Sequence, residues 1–278
     1  MTVRHLTTLT RGVATALAAE GAVAVVPIGA VEQHGDHLPL GTDFLLVEAV
    51  LDRALEQLGD DSTTWVRLPT MTFGHSPHHL FAAAVSLRPS TLSDVLADVL
   101  SSLSQTGFRR IVIVNGHGGN DELVRLAVKA HALQAEGTAA ACSYWTLAAE
   151  TTAEAAAAER PERTPGHAGW FETSLMLAAH PELVADDRPF QPADPPPLFD
   201  RSPAPGLTVE RYGEWPRVGG LTDDPAEATA ATGRLLLGRR VAGLVAALRG
   251  LDRATAPALD AVPGHRFPSI DRERGPQA

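Results

Sequence analysis

The chain has 278 residues, an apolar content of 44 % and a formal charge of −10. This length and apolar content suit one globular domain, and the acidic charge excludes a chain built to bind nucleic acid or an anionic membrane, since both need a basic face. No apolar run reaches the length of a membrane span, and the single cysteine, Cys142, excludes an intrachain disulfide. A chain with one cysteine fits the reducing environment of the cytoplasm.

The first strong signal is an apolar run at 22–30, which predicts a buried strand and leads into ionisable side chains. Glu32 and His34 are two residues apart, so on extended chain they point to the same side. Asp43 follows near the start of a helix predicted over 42–58. Carboxylate and imidazole groups at a strand end are ligands for Zn²⁺, Mn²⁺ or Fe²⁺. Two plainer interpretations stay open, which are a polar surface loop and a helix-capping role for Asp43.

Strands and helices then alternate along the chain, which predicts an α/β fold with helices on both faces of a mostly parallel sheet. The strand at 110–114 is apolar after Arg110, as expected at the centre of such a sheet. Ligands bind at the carboxyl ends of the strands in these folds. The predicted strands are 22–30, 64–71, 81–87, 110–114 and 138–145, and the predicted helices are 7–20, 42–58, 89–105, one that ends near 136, one that ends near 179, and 226–251.

Two loops that contain histidine follow predicted strands. The loop 74–79 is dense in imidazole, and its histidines are candidate metal ligands, substrate contacts or parts of a solvated turn. His117 follows the apolar strand 110–114, where it is either a site residue or a core histidine. Gly118 and Gly119 let the chain turn tightly beside it. A phosphate-binding loop is the weaker interpretation of these glycines, because neither a dinucleotide fingerprint nor a P-loop lysine is present.

The second half of the chain is less regular. Residues 148–165 are rich in alanine and glutamate and predict either a mobile helix and loop over the site or a surface excursion. Glu172 lies in the first turns of the next helix beside apolar residues. A buried glutamate there needs a cation, whereas an exposed one would be stabilised by the helix dipole. Residues 186–206 carry seven prolines and predict an irregular arm. We expect one domain over 1–253 and a loose tail over 254–278.

Five stretches of the sequence together resemble the creatininase (creatinine amidohydrolase) family, and they occur in the family's order between about residues 7 and 250. The resemblance implies a three-layer α/β/α sandwich and a metal-dependent hydrolase of a non-peptide or cyclic amide bond. It also implies two divalent ions per chain, Zn²⁺ or Mn²⁺ with Fe²⁺ as a further candidate, and a homo-oligomer, commonly a hexamer. The matching stretches are 27–35, Asp43, 74–79, 115–120 and 167–174.

The resemblance also carries site residues. Creatininases have a Tyr-Glu pair directly after the histidine that matches His117, and that glutamate binds metal. This chain has Gly118 and Gly119 there, so Glu172 is expected to replace the missing ligand. A Trp-Asp pair that creatininases carry shortly before the histidine that matches His167 is also absent, which leaves creatinine open as the substrate. The other metal ligands that the resemblance implies are Glu32, His34, Asp43 and His117. Asp43 matches the aspartate that bridges the two ions in the family.

The expected chemistry is hydrolysis by a water that the metal activates. The expected catalytic residues are His167 and Glu172. His167 would orient the substrate, a small-molecule amide, or transfer a proton to the leaving nitrogen. The expected substrate contacts are His75, Ser76, His78, Gly118, Trp145 and His167.

Three alternatives stay open at this stage. Members of the family that carry glycines at the positions of Gly118 and Gly119 include two further kinds of enzyme. One kind is a deformylase of a formamidopyrimidine nucleotide, and the other is a peptidase that matures a redox-cofactor precursor peptide. A phosphorylated substrate would need a basic patch within 148–165, for which Arg160 and Arg163 are the candidates. The third alternative is a catalytically inactive metal-binding subunit of an assembly.

Overall fold

A computed structural model describes residues 3–59, 61–149, 152–204 and 206–255 of the chain. Its centre is a parallel sheet of five strands, and a second sheet of two short antiparallel strands lies beside it. The spatial order of the main sheet is β1-β4-β2-β6-β7. The strands are β1 Val3–His5, β2 Val23–Ile28, β3 Val31–Glu32, β4 Trp65–Arg67, β5 Ala84–Val85, β6 Arg110–Asn115 and β7 Thr138–Ser143, of which β3 and β5 form the second sheet.

Helices cover both faces of the main sheet, because alternate side chains of each central strand are apolar. In β2, Val23 and Val25 pack with the apolar side chains of α2, α6 and α8, and Ala24 and Val26 pack with those of α1, α3 and α4. The predicted α/β/α sandwich is therefore confirmed. The helices are α1 Arg11–Ala19, α2 Thr42–Gln57, α3 Pro89–Thr106, α4 Asp121–Ala132, α5 Ala153–Ala157, α6 Trp170–Ala179, α7 Glu214–Arg217 and α8 Ala230–Thr255.

Several predicted elements differ from those observed. Only Ala84–Val85 of the strand predicted at 81–87 is extended, and it pairs outside the main sheet. The helix predicted at 226–251 begins at Ala230 and extends to Thr255. The edge strand β1 and the single-turn helix α7 were not predicted. Residues 256–278 of the predicted tail lie outside the described residues. Among the residues that are described, no helix has the length and apolar character needed to cross a bilayer.

The order of the strands creates a site between β2 and β6. The chain leaves β2 toward β4 on one side of it and then returns to form β6 on the other side, so the connections diverge at the carboxyl ends of these two strands. Such a divergence opens a crevice for ligands. Gly116 follows β6 and contacts α2 closely, because a Cβ atom there would lie 2.6 Å from the Asp43 carbonyl oxygen. This contact holds the first turn of α2 against the crevice.

Candidate metal centre

Glu32 ends the short strand β3, which follows β2, and His34 lies two residues further along. Both side chains are completely buried, which rules out a surface loop. His34 donates its Nδ1 hydrogen to the backbone carbonyl of Glu32, 3.0 Å away. In the neutral ring the lone pair is therefore on Nε2, which lies 3.4 Å from Asp43 Oδ1 and 3.7 Å from Glu172 Oε2. A hydrogen-bond acceptor thus faces two carboxylate oxygens.

His117 repeats this arrangement from the other side of the crevice. Its Nε2 donates to the carbonyl oxygen of His75 at 3.0 Å and also lies 3.1 Å from Ser76 Oγ. The lone pair on Nδ1 then faces Asp43 Oδ2 at 3.1 Å and Glu32 Oε1 at 3.3 Å. The His117 ring therefore faces carboxylates of the crevice and not the apolar core.

These acceptors need a positive charge between them. Buried polar atoms without a partner are costly, and the cost is greatest for charged groups. Two ligand atoms about 2.1 Å from one ion, at a tetrahedral angle, lie about 3.4 Å apart, which agrees with the observed separations. The residues present therefore fit a divalent cation. The buried atoms of this cluster that lack a hydrogen bond are both carboxylate oxygens of Glu32, His34 Nε2, Asp43 Oδ2 and His79 Nε2.

Asp43 belongs to two groups of candidate ligands. One group is Glu32, Asp43 and His117, and the other is His34, Asp43 and Glu172. Its Oδ2 atom faces the first group and its Oδ1 atom faces the second. Asp43 makes no capping bond, because the residue at the N-cap of α2 is Gly41. The carboxylate is thus directed into the crevice and shared by both groups.

The close packing of carboxylates and imidazoles in this cluster also shifts the pKa values of its members. Burial, reinforced by Asp43, raises the pKa of Glu172 to about 8. Burial alone would lower the pKa of His34, but Asp43, Glu172 and Glu32 outweigh it and raise that pKa to about 9. His117 and His34 hold the pKa of Asp43 below its usual range despite burial. Without a cation, protons occupy the positions between these ligands.

Two further histidines surround Glu32. His167 donates from Nε2 to the Gln33 carbonyl at 2.8 Å, and its Nδ1 lies 3.5 Å from Glu32 Oε1. His79 accepts at Nδ1 from the Gln33 amide at 2.8 Å, and its Nε2 lies 3.7 Å from Glu32 Oε1. Burial lowers the pKa of both rings, to about 2 for His79. His79 is absent from the final set of predicted site residues, although the histidines of the loop 74–79 were candidates.

Glu172 lies in the first turn of α6 and is buried, as the cation hypothesis required. Its Oε2 atom accepts a 2.6 Å hydrogen bond from the backbone N–H of Ala168. At Gly119 a Cβ atom would lie 2.6 Å from His117 Nε2 and still closer to the His75 carbonyl oxygen. No side chain fits there without a shift of the backbone, so position 119 cannot supply a carboxylate, and Glu172 of α6 supplies one beside His34.

A cavity of about 650 Å³ opens above these ligands. Ser76, predicted to contact substrate, is fully buried behind His117 and does not line the cavity. Trp215 lines it and was missed, because α7 was not predicted. The predicted contacts that do line it are His75, His78, Gly118, Trp145 and His167.

The segment 152–166, which we call the strap, forms part of the cavity wall through Pro165 and Gly166. Both carboxylate oxygens of its Glu159 accept hydrogen bonds from the buried Arg240 of α8, at 2.8 and 2.9 Å. Its Arg163 donates to Asp223 at 2.6 Å. The strap is therefore fastened to the body of the molecule at two places.

Comparisons with known proteins identify the family of this chain. The family described as creatininase (creatinine amidohydrolase) matches residues 7–248. The mycofactocin precursor peptide peptidase of Mycobacterium ulcerans (strain Agy99) is 33 % identical over 78 % of this chain and 80 % of that protein. The creatinine amidohydrolase of Pseudomonas putida is 33 % identical over 68 % of this chain and 80 % of that protein.

Solved structures extend the likeness to the whole fold. A structure described as "Creatininase Mn" covers 91 % of this chain and 99 % of its own, with a TM-score of 0.71 and 28 % identity. Another creatininase, a variant of "Zn-Zn type", covers 91 % of this chain and 98 % of its own, with a TM-score of 0.71 and 28 % identity. The chain therefore belongs to the creatininase family of amidohydrolases.

Proposed function

We propose that this chain hydrolyses the amide bond of a small molecule with two divalent cations, Zn²⁺ or Mn²⁺, held by the predicted ligands. The observation that carries the proposal is the orientation of His34 and His117. Each ring donates one hydrogen to a backbone carbonyl and directs its remaining lone pair at carboxylate oxygens. The solved creatininases named for Mn and for Zn-Zn support the choice of metals.

The cations, when bound, would lower the pKa of a water molecule and polarise the amide carbonyl. The protein's own side chains complete the chemistry. Asp43 presents one oxygen to each ligand group, and the Ala168 N–H orients the carboxylate of Glu172. His167 keeps Nδ1 free of hydrogen because Nε2 donates to Gln33. It would take up there the proton that the attacking water loses and donate it to the leaving nitrogen, and its lowered pKa favours that release.

A second candidate is a peptidase that acts on a precursor peptide, and the 33 % identity to such a peptidase over 78 % of the chain favours it. The nucleotide deformylase is disfavoured. Arg160 and Arg163 do not line the cavity, and they pair with Glu227 and Asp223. The inactive subunit is disfavoured too, because no expected ligand is missing from the cluster.

The test is hydrolysis of a panel of lactams, formamides and short peptides by the metal-loaded protein. We expect one class to be hydrolysed by the native chain. In Glu32→Gln turnover should be abolished with the fold intact, because Glu32 contributes two unpartnered buried oxygens to the centre. An unchanged circular dichroism spectrum serves as the control for folding. Undiminished turnover in the variant would contradict the proposal.

We further propose that the chain forms a cytoplasmic homo-oligomer, with the hexamer of the family as the expected state. Exposed apolar side chains on the β3–β5 ribbon and its flanks support this, since monomers rarely expose a large apolar patch. These ribbon residues are Leu40, Phe73, Leu80, Phe81 and Val85, each between 41 % and 58 % exposed.

A further inference from the structure

The wall of the cavity carries two acidic side chains, of which Glu122 is attracted to Arg125 without a direct ion pair. Glu122 of α4 and Glu210 of the segment before α7 line it, and both are exposed. Neither carboxylate has a hydrogen bond or ion pair among the described residues. The wall includes no lysine or arginine in the described parts of the chain.

The nearest arginines in the sequence are already engaged elsewhere. Arg125, one turn after Glu122, donates to Asp121 at 2.8 Å. Arg211, next to Glu210, lies 3.6 Å from Glu214. An anionic group that entered the cavity would therefore meet two carboxylates and no free guanidinium group.

Two indole rings complete the outer wall. Trp145 and Trp215 line the cavity. Trp215 is held in place, because it stacks on Phe199 with ring centroids 3.8 Å apart and packs against His78 at 4.8 Å. Indole rings attract ammonium and guanidinium groups through the negative charge of their faces. The wall thus combines carboxylates with indole rings, of which Trp215 already has one face covered by Phe199.

The inner end of the cavity is independently a ligand site. Asp43 lines the cavity there, is 2 % exposed, and has an Oδ2 atom with no hydrogen bond. A substrate that places its amide at this end extends the remainder of its structure along the wall that carries Glu122 and Glu210. The two ends of the cavity therefore impose different requirements on one molecule.

We propose that the substrate is an amide whose far end carries a positive charge, an ammonium or guanidinium group, recognised by Glu122, Glu210 and the two tryptophans. This inference rests on the proposed function, because the metal ligands position the amide. The proposed function does not specify the charge of the substrate, and this inference specifies it as positive. Since both carboxylates are exposed, each contributes a preference of about fivefold or less.

The test uses hydroxamic acids, which bind hydrolytic metal ions directly. Three matched series end in an ammonium group, a methyl group or a carboxylate, with tails of increasing length, and their binding to the metal-loaded protein is measured by calorimetry. We expect the ammonium series to bind about fivefold more tightly than the methyl series, and the carboxylate series to bind most weakly. The ammonium advantage should decrease in Glu122→Gln and in Glu210→Gln, and also at high salt.

Glu56→Gln is the matched control. Glu56 is exposed at the far end of α2, roughly 20 Å along the helix from Asp43, so the variant changes the net charge equally without altering the cavity. It should keep the full ammonium advantage. Equal affinities for the three series, or an advantage that survives both cavity variants, would overturn the inference. Failure of the methyl series to bind would instead overturn the metal centre itself, so the two failures are distinguishable.

Discussion

At the scale of single residues, the site depends on which ring nitrogen of each histidine carries the hydrogen. The backbone carbonyls of Glu32 and His75 determine this for His34 and His117. A hydrogen bond from the second ring nitrogen fixes the tautomer and the orientation of a histidine that binds metal. The ring orientation is therefore encoded in the loop backbone and not only in the histidines.

Metal binding should become tighter as the pH rises from about 6 to about 9. The pKa of Glu172 is raised to about 8 and that of His34 to about 9, so in the cation-free protein both groups hold protons at neutral pH. A cation must displace these protons, and it competes with fewer of them at higher pH. Competition with a chelator at several pH values measures the affinity. An affinity that is constant over this range would contradict the assignment.

Gly119→Ala should weaken metal binding by about tenfold, the lower end of the effect of losing a hydrogen bond from the second ring nitrogen. The new Cβ atom would displace either the His75 carbonyl or the His117 ring that it orients. Gly118→Ala is the control, since no atom lies within 4 Å of a Cβ atom built there. Titration with Mn²⁺ measures both variants, and equal affinities would show that the spacing at Gly119 does not matter.

At the scale of elements, the periodicity of apolar residues predicted the long helices and the buried strands, because each of them buries a continuous apolar face. It missed β1 and α7, which have three and four residues and too few side chains to form a pattern. Trp215 was missed with α7. His79 was missed for another reason, because only the fold brings the loop 74–79 against Glu32. Glu32, His34 and Asp43 were candidate metal ligands already from their position after a buried strand, whereas Glu172 became one only through the family resemblance.

The strap should depend on its contact with α8. Arg240→Leu leaves Glu159 with Arg239, 2.9 Å away, as its remaining partner and should destabilise the protein by about 1–3 kcal/mol. The double variant Arg240→Leu, Glu159→Leu removes both charges and should recover part of this loss. Urea unfolding of the native protein, the two single variants and the double variant measures the coupling free energy. Strictly additive losses would contradict a direct contribution of the pair.

At the scale of the whole molecule, the exposed ribbon residues should lie in a subunit interface. Leu80→Glu should convert the oligomer into smaller species, because the charge would be buried in the interface. Leu126→Glu on α4 is the matched control, since Leu126 is 59 % exposed and Leu80 is 58 % exposed. Light scattering after size exclusion measures the mass. Native protein that is monomeric, or equal dissociation in both variants, would contradict the interface.

The central claim is that one chain holds two divalent cations around a shared Asp43. Elemental analysis of the purified protein beside Glu172→Ala tests it most directly, because Glu172 belongs to one ligand group and not to the other. The account predicts about two cations per native chain and about one in the variant. A native chain that holds no metal after addition of Zn²⁺ or Mn²⁺, or a variant that still holds two, would contradict it.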